Sequence, residues 1–250
     1  MTKFLAVEIL SINGENLISE GGSIRFITDC AGGHRAWDFA YNSLDDSFTF
    51  AAIQKDSVLF TRQRVERIQS VCGFRRKCLI PSLHGRDINT CLLIPRKMSN
   101  ADEGDLIINC YTGSEDFCLG SFALEIKGST TSKGPAVSYY NSSTPTFHSG
   151  HISNIRCLIS VNSYLISGGG RGMLAVWRLD CDHTNQPGLI GWISLDTGVR
   201  ESGPLYSCPI DKTNRNVKSM CDLRVMTLLG YQTHQECIFV IAGCSDGSIR

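Results

Sequence analysis

Three short stretches of this chain carry residue types that can do chemistry. Gly168–Gly172 reads Gly-Gly-Gly-Arg-Gly, which has the glycine density of a loop that cradles phosphate. Cys181–His183 combines a thiol, a carboxylate and an imidazole, three groups that bind metal ions. Asp45 and Asp46 offer a pair of carboxylates, the groups that general acid–base catalysis uses most often after histidine.

None of these stretches has the surroundings that its chemistry needs. A phosphate-binding P-loop requires Lys and Ser or Thr after its last glycine, with a helix behind them. Here Met173–Trp177 follows and predicts a strand. Cys181–His183 is an isolated cluster on a predicted loop, and adjacent carboxylates in a turn point apart. We therefore predict no catalytic residue, no metal site and no cofactor, so the chain is not expected to be an enzyme.

The bulk composition excludes several classes of protein. Charged residues are 19% of the chain, with 24 basic and 24 acidic residues, so no net field attracts nucleic acid or membrane. The 12 cysteines form no Cys-x-x-Cys pair, which favours free thiols in a reducing cytoplasm over zinc binding. A secreted disulfide framework is the alternative. Met1–Leu10 resembles a signal peptide, but Glu8 interrupts its apolar run, so we predict a cytoplasmic protein without membrane partners.

One segment concentrates positive charge. Between Thr61 and Lys77 only Glu66 opposes six basic residues, which are Arg62, Arg64, Arg67, Arg75, Arg76 and Lys77. Arg and Lys neutralise the phosphates of a nucleic acid whatever its sequence, so these residues are candidates for RNA contact. The alternative is a solvated sheet edge on which positive charge discourages pairing with other strands.

The elements that position these residues are predicted to be strands. Three corner segments align without a gap, Thr112–Leu119, Ser167–Leu174 and Ala242–Ile249, and place Asp116, Arg171 and Asp246 at one position. Each corner joins two strands rich in β-branched residues, and a further strand precedes and follows each pair. Four antiparallel strands repeated radially form the blade of a propeller. We expect the polar inserts Lys127–Gly150 and Asp196–Met220 to be surface loops.

The residues around one corner resemble the WD-repeat family. In that family a Gly-His pair opens the blade, Ser ends the second strand, Asp lies in the corner and Trp closes the third strand. Gly150-His151, Ser167 and Trp177 match, while Arg171 replaces the Asp. In the preceding unit the matching residues are His84, Thr112, Asp116 and Phe122; in the last unit Asp246 matches but Cys221 replaces the His. The resemblance implies a buried hydrogen-bonded network that holds each blade together.

A finer resemblance connects the chain to one branch of that family. It depends on Gly32–Phe39, Leu83–Ile88, His151–Leu158, the triple glycine before Arg171, and Ala242–Gly247. These strings are similar to WD-repeat subunits that partner an FtsJ-like tRNA ribose methyltransferase. The resemblance implies a non-catalytic scaffold that presents tRNA for 2′-O-methylation of the wobble ribose, with the methyltransferase and tRNA as partners. A general protein-interaction scaffold, for example in ubiquitin ligation or trafficking, is the competing interpretation.

The predicted organisation is an all-β WD-repeat β-propeller whose ring of four-stranded antiparallel blades is incomplete, so that 1–250 reads as a fragment. Residues 1–80 hold one or two divergent blades, 81–150 a blade with the Ser/Thr-rich insert, 151–220 the best-matched blade, and 221–250 a truncated one. Two interpretations of the N-terminal region stay open. Gly33-His34 opens a blade that Phe60 closes, or Ala31–His34 is a corner that puts Trp37 on a third strand.

Overall fold

The architecture is all-β and antiparallel. A computed structural model describes residues 3–13, 16–30, 36–42, 47–54, 57–64, 77–80, 83–97, 106–129, 136–141, 143–179, 186–195, 200–202, 223–233 and 237–250. Every regular element in these ranges is a β-strand, and all pairs are antiparallel. The ranges include no helix that is long and apolar enough to cross a membrane.

The strands form five sheets in chain order. Sheet I is the hairpin of β1 (Lys3–Asn13) and β2 (Asn16–Cys30). Sheet II contains β3 (Trp37–Asn42), β4 (Ser47–Gln54), β5 (Ser57–Arg64) and β6 (Lys77–Ile80). Sheet III contains β7 (Ile88–Lys97), β8 (Leu106–Ser114), β9 (Cys118–Ser129), β10 (Ala136–Asn141) and β11 (Thr146–Ser149).

The last two sheets follow the same order of strands. Sheet IV contains β12 (Ile155–Val161), β13 (Tyr164–Gly169), β14 (Met173–Leu179), β15 (Pro187–Ser194) and β16 (Arg200–Ser202). Sheet V contains β17 (Val225–Gln232) and β18 (Ile238–Cys244). In sheets II, III and IV the first four strands pair in sequence order. The fifth strand of sheet III, β11, pairs with β9 beside β10. Sheets III, IV and V lie within 81–150, 151–220 and 221–250.

Consecutive sheets pack through their first strands. The strands β3 and β7, β7 and β12, and β12 and β17 are in contact. Each contact is surrounded by its own apolar cluster, centred on Phe60 and Phe122, then on Trp177 and Tyr111, then on Val225 and Ile166. Full burial of one such side chain contributes about 1.5–3 kcal/mol, so the joints between sheets carry much of the stability of the fold.

One joint also has a polar link that no sequence pattern predicted. The Asp38 carboxylate on β3 accepts a hydrogen bond from the backbone N–H of Leu93 on β7 at 2.7 Å. Burial raises the pKa of Asp38, while this hydrogen bond and one from Phe39 act in the opposite direction. The link therefore fixes the position of sheet II against sheet III at the cost of a partly buried carboxylate.

The three aligned corners share one geometry. Gly113 pairs with Leu119, Gly168 with Leu174 and Gly243 with Ile249, so the corners have the same length. The sixth residue of each corner has a positive φ: 70° at Phe117, 61° at Gly172 and 81° at Gly247. In the triple-glycine corner Arg171 also has a positive φ, of 57°. The gapless sequence alignment therefore corresponds to a repeated backbone conformation.

The prediction of a surface loop over Lys127–Gly150 is wrong at 127–129, 136–141 and 146–149, which are strand residues; 130–135 and 142 lie outside the described residues. β9 continues through Lys127 to Ser129, and β10 and β11 both pair with it. β11 lies opposite Cys118–Ser121, β10 lies opposite Leu124–Ser129, and Ser143 Oγ accepts a hydrogen bond from the N–H of Ala123 between them at 3.0 Å. The abundance of Ser, Thr and Gly outweighed the strand-forming residues Val137, Tyr139, Tyr140 and Phe147 in the sequence-based interpretation.

Two other predictions are resolved only in part. Within the predicted insert Asp196–Met220, Arg200–Ser202 forms β16 on the edge of β15, whereas 196–199 and 203–222 lie outside the described residues. At the N-terminus, Trp37 begins β3, the first strand of sheet II, and Phe60 lies on β5, the third strand. The interpretation of Ala31–His34 as a corner before a third strand is therefore wrong, because Trp37 is on a first strand; 31–35 lie outside the described residues.

Candidate functional site

The first of the matched histidines lies in a buried polar cluster that we call the His84 knot, formed by His84, Thr112 and Asp116. His84 Nε2 is 2.8 Å from Thr112 Oγ1, and His84 Nδ1 is 2.8 Å from Asp116 Oδ2. Asp116 Oδ1 also accepts a hydrogen bond from the N–H of Cys118 at 3.0 Å. The His84 ring is therefore held at both nitrogens between the end of β8 and the corner that follows it.

The charges of this knot follow from its burial. Desolvation lowers the pKa of His84, although the adjacent Asp116 carboxylate opposes the shift. Burial alone would raise the pKa of Asp116, but the N–H of Cys118 and the His84 ring together hold it below its ordinary value. At neutral pH a neutral imidazole thus donates from Nδ1 to a carboxylate and accepts the Thr112 hydroxyl proton at Nε2. Every polar atom of the His84 ring is used structurally.

The second cluster, the His151 knot, contains His151, Ser167 and Trp177. Ser167 Oγ is 2.7 Å from His151 Nε2 and accepts a hydrogen bond from Trp177 Nε1 at 2.8 Å. Ser167 and Trp177 are at most 1% exposed. The hydroxyl is the hub of the knot, because both aromatic rings bond to it.

The corner of the His151 knot lacks the carboxylate that Asp116 supplies in the first knot. Arg171 occupies that position and is exposed to solvent. His151 Nδ1 is buried and has no hydrogen-bond partner among the described residues. Desolvation lowers the pKa of His151 to about 3, so its ring is neutral under ordinary conditions. A buried unpaired nitrogen costs about 1–3 kcal/mol, a loss that the rest of this knot offsets.

The glycine that precedes His151 has a packing role. A Cβ atom at Gly150 would overlap the six-membered ring of Trp177, lying 2.6 Å from its Cζ2 atom. In the His84 knot the corresponding residues are Leu83 and Phe122, and both belong to the cluster between sheets II and III. The larger ring is thus paired with the smaller neighbour, which explains in packing terms why glycine accompanies tryptophan.

The third matched corner contains no such knot within the described residues. Ala242 stands where Thr112 and Ser167 supply a hydroxyl, and Cys221, which replaces the His, lies outside the described residues. Asp246 is exposed and accepts hydrogen bonds from Ser248 N–H at 3.0 Å and Ser248 Oγ at 2.7 Å. Its second carboxylate oxygen pairs with Arg250 at 3.2 Å. Asp246 therefore stabilises its own corner.

The triple glycine serves close packing of backbone rather than phosphate binding. A Cβ at Gly168 would lie 2.7 Å from Val225 Cγ1, and a Cβ at Gly169 or Gly170 would overlap Asn154 O or Ser153 Oγ. The N–H of Gly170 donates to Asn154 O at 3.0 Å, and that of Gly172 donates to Leu223 O at 2.7 Å. The N–H groups of Gly170 and Gly172, which a phosphate would need, already have partners.

Gly243–Gly247 has the Gly-x-Ser-x-Gly sequence of a nucleophile elbow. A nucleophile elbow joins a strand to a helix, but here Gly243 pairs with Ile249, so the corner returns as a strand. Ser245 Oγ accepts a hydrogen bond from the N–H of Arg224 at 3.0 Å. This serine therefore holds the start of β17 against the corner of β18.

The candidate RNA-contact residues are only partly placed. Arg62 and Arg64 lie near the end of β5 and Lys77 begins β6, where it pairs with Thr61. The register aligns Arg62 with Thr49, and Arg64 with Ser47, at one end of sheet II. Arg67, Arg75 and Arg76 lie outside the described residues, as do Asp45, Asp46 and Cys181–His183.

A third histidine cluster was not predicted from the sequence. Ser121 Oγ is 2.8 Å from Thr146 Oγ1 and 3.0 Å from His148 Nε2. Burial lowers the pKa of His148. No sequence signal pointed to this contact, because it depends on the pairing of β11 with β9 in a segment that was predicted to be a loop.

Two further observations concern metals and thiols. In the described ranges no group of three or more His, Cys, Asp or Glu side chains is arranged to hold a metal ion. Six cysteines with described side chains are free thiols, namely Cys91, Cys110, Cys118, Cys157, Cys237 and Cys244. Comparison of the sequence with models of known protein families and with curated proteins finds no match.

Proposed function

We propose that this chain belongs to a WD-repeat propeller that acts as a non-catalytic scaffold and presents tRNA to an FtsJ-like ribose methyltransferase. The observation that carries the proposal is the use of the two matched histidines. His84 and His151 are buried, neutral and bonded to hydroxyl groups within their own sheets. Side chains that are buried and hydrogen-bonded in this way stabilise the backbone, so binding of partners falls to exposed surfaces.

The order of packing supports the propeller part of the proposal. The first strands of sheets II to V lie side by side in chain order, with an apolar cluster at every joint. Radial repetition of four-stranded sheets requires this arrangement, because the first strand of each blade lies nearest the axis. The repeated positive φ at Phe117, Gly172 and Gly247 adds a local conformation that recurs once per sheet.

The tRNA part of the proposal depends on the finer resemblance and on the basic residues between Thr61 and Lys77. The polypeptide connection between β5 and β6 carries Arg67, Arg75 and Arg76, and Arg62, Arg64 and Lys77 flank it. Neutralising a run of phosphates needs such a group of cations on one side of the molecule. A structured RNA is the ligand to which the sequence resemblance points.

Reconstitution tests this proposal. The chain is expressed with an FtsJ-like methyltransferase, and tRNA binding and 2′-O-methylation of the wobble ribose are measured with and without the chain. We expect stable copurification and methylation that depends on the chain. Reversal of Arg75, Arg76 and Lys77 to Glu should weaken tRNA binding and flatten its salt dependence. If neither the enzyme nor tRNA copurifies with the chain, the proposal is contradicted.

A general protein-interaction scaffold is the second candidate, and exposed apolar residues favour it. On sheet V, Leu229 is 62% exposed, Phe239 50% and Tyr231 49%, and the rings of Tyr231 and Phe239 stack with centroids 5.4 Å apart. Exposed apolar patches of this kind mark protein interfaces. A pull-down that retains protein partners after nuclease treatment, but no methyltransferase, would support this function over the first.

A further inference from the structure

Sheet V has apolar residues on both of its faces. Val225, Leu228 and Ala242 pack in the cluster that joins it to sheet IV. Alternate residues of a strand point to opposite faces, so a second set of β17 and β18 residues faces away from sheet IV. The register pairs Leu229 with Ile241 and Tyr231 with Phe239, and we call these four residues the Leu229 face. Ile241 is 38% exposed and the other three residues are at least 49% exposed, and none of the four is charged.

The strand register shows which residues of sheets III and IV correspond to the Leu229 face. The strands β7, β12 and β17 each have a bulge after their first residue, and the next paired residue lies opposite the glycine of the corner segment. Counted from this pair, the counterparts of Leu229 and Ile241 are Ile159 and Ile166 in sheet IV, and Leu92 and Tyr111 in sheet III.

In sheets III and IV these counterparts are covered by the next sheet. Tyr111 is buried in the cluster that includes Ile155 on β12, and Leu92 packs against that cluster. Ile166 is likewise buried beside Val225 on β17, with Ile159 packed against the same cluster. The Leu229 face therefore has the residue types and the register of a joint between sheets, although its own side chains are exposed.

The corner glycine of sheet V also matches the glycines at these joints. A Cβ at Gly113 would overlap Ile155 Cγ2, and a Cβ at Gly168 would lie 2.7 Å from Val225 Cγ1. In both joints the first residue of the next sheet thus packs directly against a glycine. Around a Cβ at Gly243 the only atom of the described residues within 4 Å, apart from its chain neighbours, is a methyl carbon of the paired strand β17. Gly243 therefore leaves room for a large side chain from a facing strand.

The first strand of sheet II has exposed aromatic residues on the side that faces away from sheet III. Asp38 and Ala40 on β3 point toward sheet III. Trp37, Phe39 and Tyr41 alternate with them, and each is between 42% and 46% exposed. We call these three residues the Trp37 face. It lies on the side by which sheets III, IV and V each contact the sheet before them, while β2 of sheet I contacts the neighbouring strand β4.

We infer that the Leu229 face of one copy of this chain binds the Trp37 face of a second copy. Both faces are apolar and uncharged, and together they reproduce the order in which β7, β12 and β17 each pack on the preceding sheet. Gly243 leaves room in this contact for an aromatic ring, and aromatic residues are enriched in the cores of protein interfaces. The inference goes beyond the proposed function, because self-association needs neither RNA nor a methyltransferase.

The contact uses two different surfaces, so it is heterologous. Each pair of copies keeps one Leu229 face and one Trp37 face for further copies, and such contacts either close into a ring or continue as a filament. The assembly state of the chain should therefore depend on its concentration. A variant that has lost one face should still be able to bind a chain through the other.

Sedimentation equilibrium of the full chain, from about 1 μM to about 1 mM, tests the inference over the range of weak to moderate dissociation constants. Leu229→Glu and Trp37→Glu each place a charge on one face. Ile190→Glu is the matched control, because Ile190 is an exposed apolar residue of β15 outside both faces. We expect the parent and the control to self-associate, and the dissociation constant of each face variant to rise by about 30-fold or more, as for the loss of a hot spot.

A mixture of the two face variants gives the most specific measurement. Leu229→Glu keeps an intact Trp37 face, and Trp37→Glu keeps an intact Leu229 face, so the mixture should form a one-to-one dimer with the affinity of the parent contact and no larger assembly. Trp37 also stacks on the buried Phe50, with centroids 5.9 Å apart. If urea unfolding shows that Trp37→Glu is not folded, Phe39→Glu takes its place on the same face.

Several results would overturn the inference. One is a parent chain that stays monomeric up to about 1 mM. Another is a mixture of the face variants that forms no dimer. Self-association that survives in Trp37→Glu and Phe39→Glu but is lost in Leu229→Glu would show that two Leu229 faces pack on each other, which also contradicts the inference. So would a Leu229→Glu variant that associates like the parent.

The outcomes also separate this inference from the proposed function. If the parent is monomeric but supports tRNA methylation, the proposed function stands and self-association fails. If the face variants behave as expected but neither methyltransferase nor tRNA copurifies with the chain, self-association stands and the proposed function fails. A monomeric parent whose Leu229→Glu variant loses a different protein partner would favour the second candidate function and overturn self-association.

Discussion

Replacing Ser167 by Ala removes the hub of the His151 knot. The hydroxyl is fully buried, accepts a hydrogen bond from Trp177 Nε1 at 2.8 Å and lies 2.7 Å from His151 Nε2. The substitution removes one oxygen atom and leaves the backbone of β13 unchanged. Two buried nitrogen atoms then lose their partner, in a place where His151 Nδ1 has none among the described residues.

The size of the effect follows from the number of nitrogens left without a partner. Each costs about 1–3 kcal/mol, so we expect the free energy of unfolding to fall by about 2–6 kcal/mol. A domain has a total stability of about 5–15 kcal/mol, so this loss is a large fraction of it. The small cavity left by the oxygen adds little, because no methyl group is removed.

Thr112→Val is the matched control in the other knot. Valine keeps the shape of threonine and removes only the hydroxyl, so one nitrogen, His84 Nε2, loses its partner. We expect a loss of about 1–3 kcal/mol, smaller than that of Ser167→Ala by about one hydrogen bond. Urea unfolding followed by far-ultraviolet circular dichroism measures both losses, and an unchanged dependence on urea concentration shows that the same surface is exposed on unfolding.

A loss below about 1 kcal/mol for Ser167→Ala would refute this reasoning, because it would mean that the two ring nitrogens find water or other partners. Equal losses for the two variants would be equally damaging. They would show that the indole N–H contributes nothing to the knot, and that the hub position is no more important than a single bond.

Three further outcomes follow from the knots. Burial lowers the pKa of His151 from 6.5 to about 3, so as the pH falls the unfolded chain binds a proton before the folded chain does. The free energy of unfolding should therefore fall between these pH values, by up to about 1.4 kcal/mol per pH unit. His151→Gln should reduce that slope in urea titrations. Arg171→Asp should raise the free energy of unfolding by about 1 kcal/mol over Arg171→Asn, which also tolerates positive φ, because a carboxylate at this position can accept a hydrogen bond from His151 Nδ1; equal stability would show that no such bond forms. Gly150→Ala should destabilise the parent chain by about 1–3 kcal/mol, because the added Cβ overlaps the Trp177 ring. It should not destabilise the Trp177→Phe variant, in which the overlapping ring atoms are absent. Equal effects in the two backgrounds of a double-mutant cycle would contradict the packing argument.

The repeat and the corners could be predicted from the sequence because they depend on local chemistry. Short runs of β-branched and aromatic residues identified most strands of sheets III to V, and the gapless alignment of three corners corresponded to one register and one positive-φ position. The failure over Lys127–Gly150 has the opposite cause. β10 and β11 are strands because the long β9 offers them an edge, and that edge is not encoded in their own residues.

The candidate site divides in the same way. The residue types of the two knots were visible in the sequence, since a histidine, a hydroxyl and an aromatic residue recur at related spacing. The hydrogen-bond partner of each atom could not be predicted. The contacts of Asp38 and His148 depend on strands far apart in the chain, and so does the lack of a partner for His151 Nδ1 among the described residues.

The two knots differ in the residues that complete them, and these differences are accompanied by differences in their neighbours. The knot that has Phe122 in place of tryptophan has Leu83 where the other has Gly150, so ring volume and neighbour volume vary in opposite directions. The element common to both is the hydrogen bond between a histidine Nε2 and a buried hydroxyl, at 2.8 Å in one knot and 2.7 Å in the other. That bond joins the segment before the first strand of each sheet to its second strand. The indole belongs to the third strand and the acid to the corner, so each adds a further link to this central bond. A sheet can therefore exchange either peripheral member and keep its shape, as sheet IV does with Arg171 at the position of the corner acid.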